Sequence, residues 1–486
     1  LKEFDLVGFS VQYELSYTNV LNMLSLSEIP LMASERSETD PLIIAGGPSA
    51  LSPEPLAEFI DLFLIGDGEE SLLQFVELFK KIKQQGLSRT EKIVALAQTL
   101  KNVYAPSLFD VFYHDDGTIK EFRPKLPGLS LPVRGATVKD LNTTYYPVRP
   151  VVPYVKTIHD RITIEVMRGC TQGCRFCQAG MSKRPTRPRT VENVLKLAEQ
   201  CYQNTGHNEI SLASLSISDY PFLHPLMEQL NKVFCKRHVN ISFPSLRVNE
   251  QLVLLPALLN TVRKSGLTLA PEAATQSLRK IINKNITDED LYKGVEEAFR
   301  QGWHVVKLYF MVGLPTETDD DIDAIAKLAL AVSDLKKKVN GSYGQVNISI
   351  APFVPKPHTP FQWHPMVTMQ RIKEIKARLF DKIRRKCILI KFHYAERSLL
   401  EGIFARGDRR LGKVIFMAWQ DGCKFDAWEE HFHFQKWLDA FQKAGIDWSF
   451  YAHRARKDDE IFPWDHISCG VVKPFLAHER QSSINA

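Results

Sequence analysis

The chain has 486 residues, of which 44% are hydrophobic and 24% charged, and Lys plus Arg exceed Asp plus Glu by 62 to 56. This composition excludes a chain that is disordered throughout, and the length favours several domains. No apolar run approaches the roughly 20 residues of a membrane-spanning helix, and no secretory signal opens the chain. A net charge of +6 is small for this length and supports a polyanionic partner only weakly.

Eight cysteines are too sparse for a disulfide scaffold, and three of them fall within eight residues. This pattern indicates a metal site in a reducing compartment, so we expect a cytoplasmic protein without a membrane partner. The chain has no initiator Met and begins in a strand-like run. We therefore expect the natural protein to extend beyond the residues given.

The first 85 residues alternate short apolar runs with helical patterns. Strands are predicted at 5–11, 41–47 and 61–66, and helices at 17–26, from Ser52 onward and at 69–81. Short strands followed by helices predict a parallel α/β sheet. Glycines end the strands, where open α/β sheets bind ligands, although tight turns would explain the same glycines.

Residues 86–157 are predicted to connect this domain to the next. Asp115-Asp116-Gly117 predicts a hairpin turn, and a proline-rich passage then predicts an extended linker. After this linker, solidly apolar strands alternate with helices. Strands are predicted at 162–167, 209–215, 240–246, 266–271, 305–312 and 345–350, and helices at 191–204, 222–236, 251–264, 275–300 and 319–338.

Six such strands predict a partial (β/α)6 barrel of the TIM type, because strands buried on both faces belong to parallel sheets. A further helix is predicted at 368–386, and the basic run 382–391 is predicted to form an exposed helix face. The expected division is an N-terminal α/β domain at 1–85, a connecting segment at 86–157, a barrel at 158–365 and an α+β accessory region at 366–486.

The central motif is Cys170-x3-Cys174-x2-Cys177, which directly follows the first predicted barrel strand. Strand ends of this kind form the catalytic face of a barrel. Gly169 and Gly173 would let the loop curl around a bound group. Three thiolates can hold an iron–sulfur cube that normally takes four, which would leave one iron open for chemistry. A zinc site would need a fourth ligand, and a disulfide would leave one thiol over.

The spacing and position of this motif resemble the radical SAM superfamily, and Phe176 fits the aromatic position before its third cysteine. The resemblance implies that Cys170, Cys174 and Cys177 bind a [4Fe–4S] cluster whose open iron binds S-adenosylmethionine (SAM). It also implies an enzyme that cleaves SAM reductively and starts radical chemistry on an unidentified substrate. An external one-electron donor of the flavodoxin or ferredoxin kind would be a partner.

The same resemblance implies further SAM contacts at the ends of other strands. They are Ser214 and Ser216 in SLASLSIS, Glu272 and Arg279 in LTLAPEAATQSLRK, and Gly313 in FMVGLP. The usual Gly-Gly-Glu of the second strand is absent. A carboxylate at a helix start would explain Glu272 equally well, and a strand ending in a Gly–Pro turn would explain Gly313.

The N-terminal region resembles the cobalamin-binding-like domain that precedes the barrel in one uncharacterised radical SAM subgroup. Gly8-Phe9-Ser10, Ala45-Gly46-Gly47-Pro48 and Ile65-Gly66-Asp67-Gly68 carry this resemblance. It implies cobalamin contacts at Ser10, Gly46, Gly47 and Gly66. The Asp-x-His-x-x-Gly motif of the lower cobalt ligand is absent, so bound cobalamin and an empty scaffold both remain open.

Two other functions remain alternatives. The basic loop 183–189 could steer RNA toward the barrel, as in an RNA-modifying methyl- or methylthiotransferase-like enzyme, or could be an ordinary solvated loop. A non-catalytic iron–sulfur sensing protein would hold the cluster without cleaving SAM.

Overall fold

The structure, a computed structural model, describes residues 1–155, 157–242 and 266–484. It divides into two compact units. The first contains Leu1–Val138, Val354–Thr368 and Tyr394–Glu479, and the second contains Lys139–Phe353, Met369–His393 and the residues from 480 onward. Each compact unit combines segments that are distant in the sequence, whereas the predicted division consists of four consecutive segments. The boundaries of those four segments therefore stay a prediction. Among the described helices, none is both long and apolar enough to cross a membrane.

The first unit is built on a four-stranded sheet. Three parallel strands and one antiparallel edge strand follow each other in chain order: Leu6–Ser10, Leu42–Gly46, Leu62–Leu64 and Val103–Tyr104. The predicted parallel α/β sheet is therefore confirmed. Its other paired strands are a hairpin of Phe109–Tyr113 with Ile119–Pro124, which turns at the predicted position, and Val133–Arg134 beside Ile467–Ser468.

The helices of this unit come from both ends of the chain. They are Tyr17–Leu26, Gly68–Gln84, Arg89–Thr99, Ala395–Ala405, Leu411–Gln420, Phe434–Ala444 and Ser449–Ala452, and Lys473–Ile484 follows. The helix predicted from Ser52 is wrong, since only the short 3-10 turns Pro48–Leu51 and Glu54–Leu56 form there. Ser52 does not act as a helix cap, because its hydroxyl donates to the Ala405 carbonyl at 2.7 Å.

A buried ionic cluster joins the first unit's sheet to its surroundings. One carboxylate oxygen of Asp61 accepts hydrogen bonds from Arg36 at 3.0 Å, Arg89 at 2.7 Å and the backbone N–H of Ile43 at 2.7 Å. The Asp61 and Arg36 side chains are 2% and 0% exposed. Loss of the Asp61 side chain would therefore leave the buried charges of Arg36 and Arg89 without their carboxylate partner.

The second unit contains two parallel sheets. One has three strands, Ile162–Glu165, Glu209–Ala213 and Asn240–Ser242, and the other has four, Leu267–Glu272, Val305–Val312, Gln345–Pro352 and Ile388–Phe392. All six predicted strands are present, and they form no closed barrel within the described ranges, as expected for a partial barrel. The end of the third predicted strand and the helix predicted at 251–264 lie outside the described residues.

The seventh strand, Ile388–Phe392, corrects the sequence analysis, which placed this basic run on a helix face. Helices Gln178–Ser182, Val191–Thr205, Leu223–Phe234, Gln276–Ile281, Asp288–Arg300, Asp319–Asn340 and Met369–Lys382 complete the unit. The single helix predicted at 275–300 is interrupted. Asn283 has a φ of 53°, and Thr287 begins the second helix with a capping box.

Each sheet of the second unit buries one face under helices. Residues at alternate strand positions, such as Ile164, Leu212, Leu308 and Ile348, form the two hydrophobic cores. The residues between them point to the opposite, open face. This alternation divides each strand into a structural face and a face available to ligands.

Candidate functional site

The three cysteines lie on a tightly closed loop of the second unit. The short strand Met167–Arg168 pairs antiparallel with Arg187–Pro188 and so closes the loop at its base. Gly169 has a φ of 86°, and a Cβ there would lie 2.7 Å from the carbonyl oxygen of Lys183. A Cβ on Gly173 would lie 2.8 Å from the Asn283 side-chain nitrogen. Close backbone approach therefore requires glycine at 169, whereas at Gly173 the end of the Asn283 side chain limits the space.

Hydrogen bonds tie this loop to the residues that follow the second parallel strand. Thr171 Oγ1 and Gln172 Nε2 donate to the Asp219 carboxylate at 3.1 and 3.0 Å. Asp219 follows the segment that contains Ser214 and Ser216. The end of the second strand therefore lies beside the cysteine loop, as the barrel topology predicts.

A second set of bonds ties the loop to the turn that follows the fourth strand. Asn283 Nδ2 donates to the Gly173 carbonyl at 2.9 Å, and the Arg175 backbone N–H donates to the Ile282 carbonyl at 3.0 Å. The Arg175 guanidinium also donates to Ile281 O at 2.8 Å, at the end of a helix. Sequence analysis did not identify Asn283 or Arg175, because both act through long-range backbone contacts.

Glu272 and Cys177 share one partly buried electrostatic environment. Burial raises the pKa of Glu272, while Lys284, whose Nζ lies 3.6 Å from Oε1, acts in the opposite direction. Burial also raises the pKa of the Cys177 thiol, and the charges of Cys170 and Glu272 add to this. The Gly180 N–H, 3.3 Å from Cys177 Sγ, lowers it. Two of the three cysteines and Glu272 therefore lie near one another.

The donor set of the loop is thiol-rich, which suits an iron–sulfur cluster. In the described part of the chain, no three His, Cys, Asp or Glu side chains are close enough to hold a single metal ion. A cubane distributes its thiolates over separate irons, so it does not require three ligands around one ion. The three residues fit the cluster chemically, and their role as ligands stays a prediction.

The side chains of Ser214 and Ser216 are candidates for contact with a polar ligand. Both hydroxyl oxygens are buried, and neither has a hydrogen-bond partner among the described residues. Buried hydroxyl groups are normally hydrogen-bonded, so a polar ligand would satisfy them. Phe176, half-buried, directly precedes the third cysteine. These residues fit the predicted SAM site.

Arg279 and Gly313 have partners within the protein. Arg279 is 1% exposed, and its guanidinium contacts Asp288 and the Thr275 carbonyl, although Nη1 has no partner in the described chain. Gly313 has a φ of 83°, and its N–H donates to Glu317 Oε1 at 2.8 Å. Their predicted contacts with SAM remain untested.

Glu317 was missed by the sequence analysis, although its position four residues after Gly313 was a usable signal. Burial raises its pKa from 4.5 to about 7, and N–H groups of Gly313 and Leu314 oppose this shift. A carboxyl group whose pKa is raised by folding stabilises the folded state at low pH and loses this contribution as pH rises.

Because of the raised pKa of the Glu317 carboxyl, we expect the free energy of unfolding of the wild type to fall between about pH 4.5 and 7, by on the order of 3 kcal/mol. Glu317→Gln should flatten that part of the profile, measured by urea denaturation at several pH values. Glu289→Gln changes an exposed carboxyl in the helix Asp288–Arg300 of the same unit; it is the control and should leave the slope unchanged. An identical slope in wild type and Glu317→Gln would contradict the assignment.

The four predicted cobalamin residues belong to the first unit. A Cβ on Gly47, whose φ is 97°, would lie 2.7 Å from Val11 O, and a Cβ on Gly66 would overlap the backbone of Ala136. Gly46 and Ser10 lie on adjacent parallel strands. The protein's own packing therefore explains Gly47 and Gly66. These residues therefore do not form a cradle that requires cobalamin.

The basic loop 183–189 is directed inward. Nε of Arg184, Arg187 and Arg189 donates to backbone carbonyls of Gly180, Pro185 and Glu165 at 3.0–3.1 Å. Arg187 and Arg189 are 6% and 2% exposed. Both interpretations of this loop assumed a solvated basic surface, which is wrong for these two arginines.

Two family models match the chain. The model described as the radical SAM superfamily matches residues 164–329, and the model described as radical SAM proteins, N-terminal, matches residues 1–106. The first spans the cysteine loop and the strands through Val305–Val312. The chain therefore contains a radical SAM domain at residues 164–329 and is an enzyme. The predicted cofactors, a [4Fe–4S] cluster and SAM, are those of the superfamily.

Similar proteins extend the match beyond these regions. An uncharacterised protein of Methanocaldococcus jannaschii is 28% identical over 449 residues, which cover 92% of this chain and 87% of the relative. The radical SAM methyltransferase TsrM from Kitasatospora setae, solved with cobalamin and a [4Fe–4S] cluster, has a TM-score of 0.51 at 11% identity. The alignment covers 91% of this chain and 88% of TsrM. This likeness confirms the predicted fold class.

Proposed function

We propose that Cys170, Cys174 and Cys177 hold a [4Fe–4S] cluster at which this enzyme cleaves SAM reductively. The observation that carries the proposal is the Cys-x3-Cys-x2-Cys loop, bonded to the segments that follow the second and fourth strands. When bound, the cluster and SAM supply the one-electron chemistry that starts a radical reaction. The three thiolates leave one position for SAM.

The remaining residues orient SAM and limit its exposure to water. We infer that the hydroxyls of Ser214 and Ser216 pair with its polar groups, since they have no other partner in the described chain. Glu272 accepts hydrogen bonds from the ribose hydroxyls, and Lys284, 3.6 Å away, favours its ionised form against the effect of burial. Phe176 packs beside the cofactor, and the Gly313 turn lies beside adenine.

Partners and location follow from the same chemistry. The enzyme takes its electron from an external flavodoxin- or ferredoxin-like donor and works in the cytoplasm. TsrM is a methyltransferase, but none of the residues that the structure describes favours methyl transfer over other radical reactions. The RNA-modifying alternative loses its main support, because arginines of the basic loop face backbone carbonyls.

The test is anaerobic reconstitution with iron and sulfide, followed by reduction, addition of SAM and assay of 5′-deoxyadenosine. Formation of 5′-deoxyadenosine would support the proposal. A stable cluster that never cleaves SAM, with iron saturated by four ligands, would favour the sensing alternative instead. Cobalamin is added in a separate arm, with the absorption spectrum recorded before and after.

A further inference from the structure

The open face of the four-stranded sheet in the second unit is unusually polar. Parallel sheets are normally covered on both faces. Here helices cover one face, whereas the open face leaves Tyr309 40% and Leu389 54% exposed. Lys307 and Lys391 on the same face are exposed as well. This face therefore has the character of a binding surface and not of a core.

The strand register brings the polar residues of this face together. Lys307 is paired with Asn347 on the adjacent strand, and Tyr309 with Ser349. Ser349 is paired in turn with Lys391 on the next strand. From strand spacing and rise, the Cα atoms of the two lysines lie about 12 Å apart. Asn347 and Ser349 occupy the strand between them.

Both central side chains can donate to a ligand. The Asn347 carbonyl oxygen accepts from Gln345 at 3.4 Å, which leaves its NH2 group available. Ser349 Oγ lies 3.2 Å from His393 Nε2. Two flexible ammonium groups with an amide and a hydroxyl between them form a donor set that suits a carboxylate or phosphate group.

The charge of this face is not neutralised by the protein. The four strands hold one acid, Glu272, which is paired with Lys284 at 3.6 Å, and neither Lys307 nor Lys391 makes an ion pair within the described ranges. The three-stranded sheet differs, because its open-face acids have cationic partners. Glu165 is paired with Arg168 at 2.7 Å, and Glu209 with Arg161 at 3.4 Å. The excess positive charge therefore lies at Lys307 and Lys391.

We propose that Lys307, Asn347, Ser349 and Lys391 form a subsite for the anionic group of the substrate, with Tyr309 beside it. This inference rests on the proposed function, since it names the substrate class of the same domain. Charge complementarity selects a small carboxylate- or phosphate-bearing molecule. The carboxylate of SAM has the same chemistry, so the experiment must distinguish the two sources.

The experiment uses the full-length, reconstituted protein and the variants Lys307→Gln, Lys391→Gln and their combination. Lys327→Gln is the matched control, because Lys327 is exposed on a helix that covers the opposite face of this sheet. Binding of pyrophosphate and of citrate is measured by calorimetry, with glycerol as the neutral probe. The KM for SAM is measured from 5′-deoxyadenosine formation.

We expect wild type and Lys327→Gln to bind the two anions alike and the double variant to bind them at least about tenfold more weakly, with an unchanged KM for SAM. Equal anion binding in all variants, or none in wild type, would overturn the subsite. A tenfold rise in the KM for SAM in the double variant would show that the lysines bind SAM, and it would overturn the proposed substrate subsite. If wild type fails to cleave SAM, the proposed function fails while the anion titration still reports on this face.

Discussion

Cys174→Ala is expected to abolish SAM cleavage in the reconstituted enzyme. Three thiolates bind three irons of a cubane and leave the fourth iron open. Loss of one thiolate therefore removes a ligand and changes the geometry of the open site. Residues that only support metal ligands typically alter affinity or activity by 10–100-fold, so we expect a loss above about 100-fold. Iron content and 5′-deoxyadenosine formation are measured together.

Cys235→Ala is the matched control, because Cys235 is exposed and lies outside the loop. It should retain both iron and activity. If Cys174→Ala formed 5′-deoxyadenosine at the wild-type rate, the loop would not be the cluster site. Loss of activity in both variants would point to general damage and not to a ligand role.

Asp61→Ala is expected to destabilise the protein by about 3–5 kcal/mol. The substitution leaves Arg36 and Arg89 without their shared carboxylate, and Arg36 has no access to solvent in which to rehydrate. It also removes the acceptor of the Ile43 N–H within the sheet. Urea denaturation followed by circular dichroism measures the change.

Asp5→Ala provides the comparison for this prediction. Asp5 pairs with Lys83 in the same unit, but the two side chains are 59% and 52% exposed. Exposed ion pairs contribute about 0–1 kcal/mol, so this variant should remain close to wild type. A similar, small loss in both variants would show that the buried cluster is not required for stability.

The sequence predicted those parts of the fold that depend on local patterns. Apolar residues identified the strands around Ile164, Leu308 and Ile348, since these side chains fill the cores on which the sheets pack. The expectation that these strands are solidly apolar and buried on both faces was wrong, because burial alternates along them. Residues 388–392 were misassigned because they were grouped with the basic residues just before them, Arg384, Arg385 and Lys386, which fit a helix surface. Pairing with Gln345–Pro352, more than 35 residues earlier, decides that they form a strand.

The sequence predicted the cysteine motif of the candidate site but not the residues that surround it. Cysteine spacing and the strand before it were sufficient to place the loop. Asn283, Lys284 and Glu317 were not found, because an isolated polar residue in a turn has no periodicity to mark it. Asn283 matters because it meets Gly173, which lies 110 residues away in the sequence. Lys284 and Glu317 instead contact Glu272 and Gly313, which are close to them in the sequence.

The first unit is assembled from three segments, the last of which ends at Glu479. During synthesis the sheet of residues 6–104 leaves the ribosome long before the helices Ala395–Ala405 and Leu411–Gln420 that belong to its unit. Until then, the nascent segment exposes the surfaces of Tyr17–Leu26 and of the 3-10 turn Glu54–Leu56 on which Leu411–Gln420 packs, and such exposure favours aggregation and chaperone binding. Chains truncated after residue 393 should consequently accumulate in inclusion bodies.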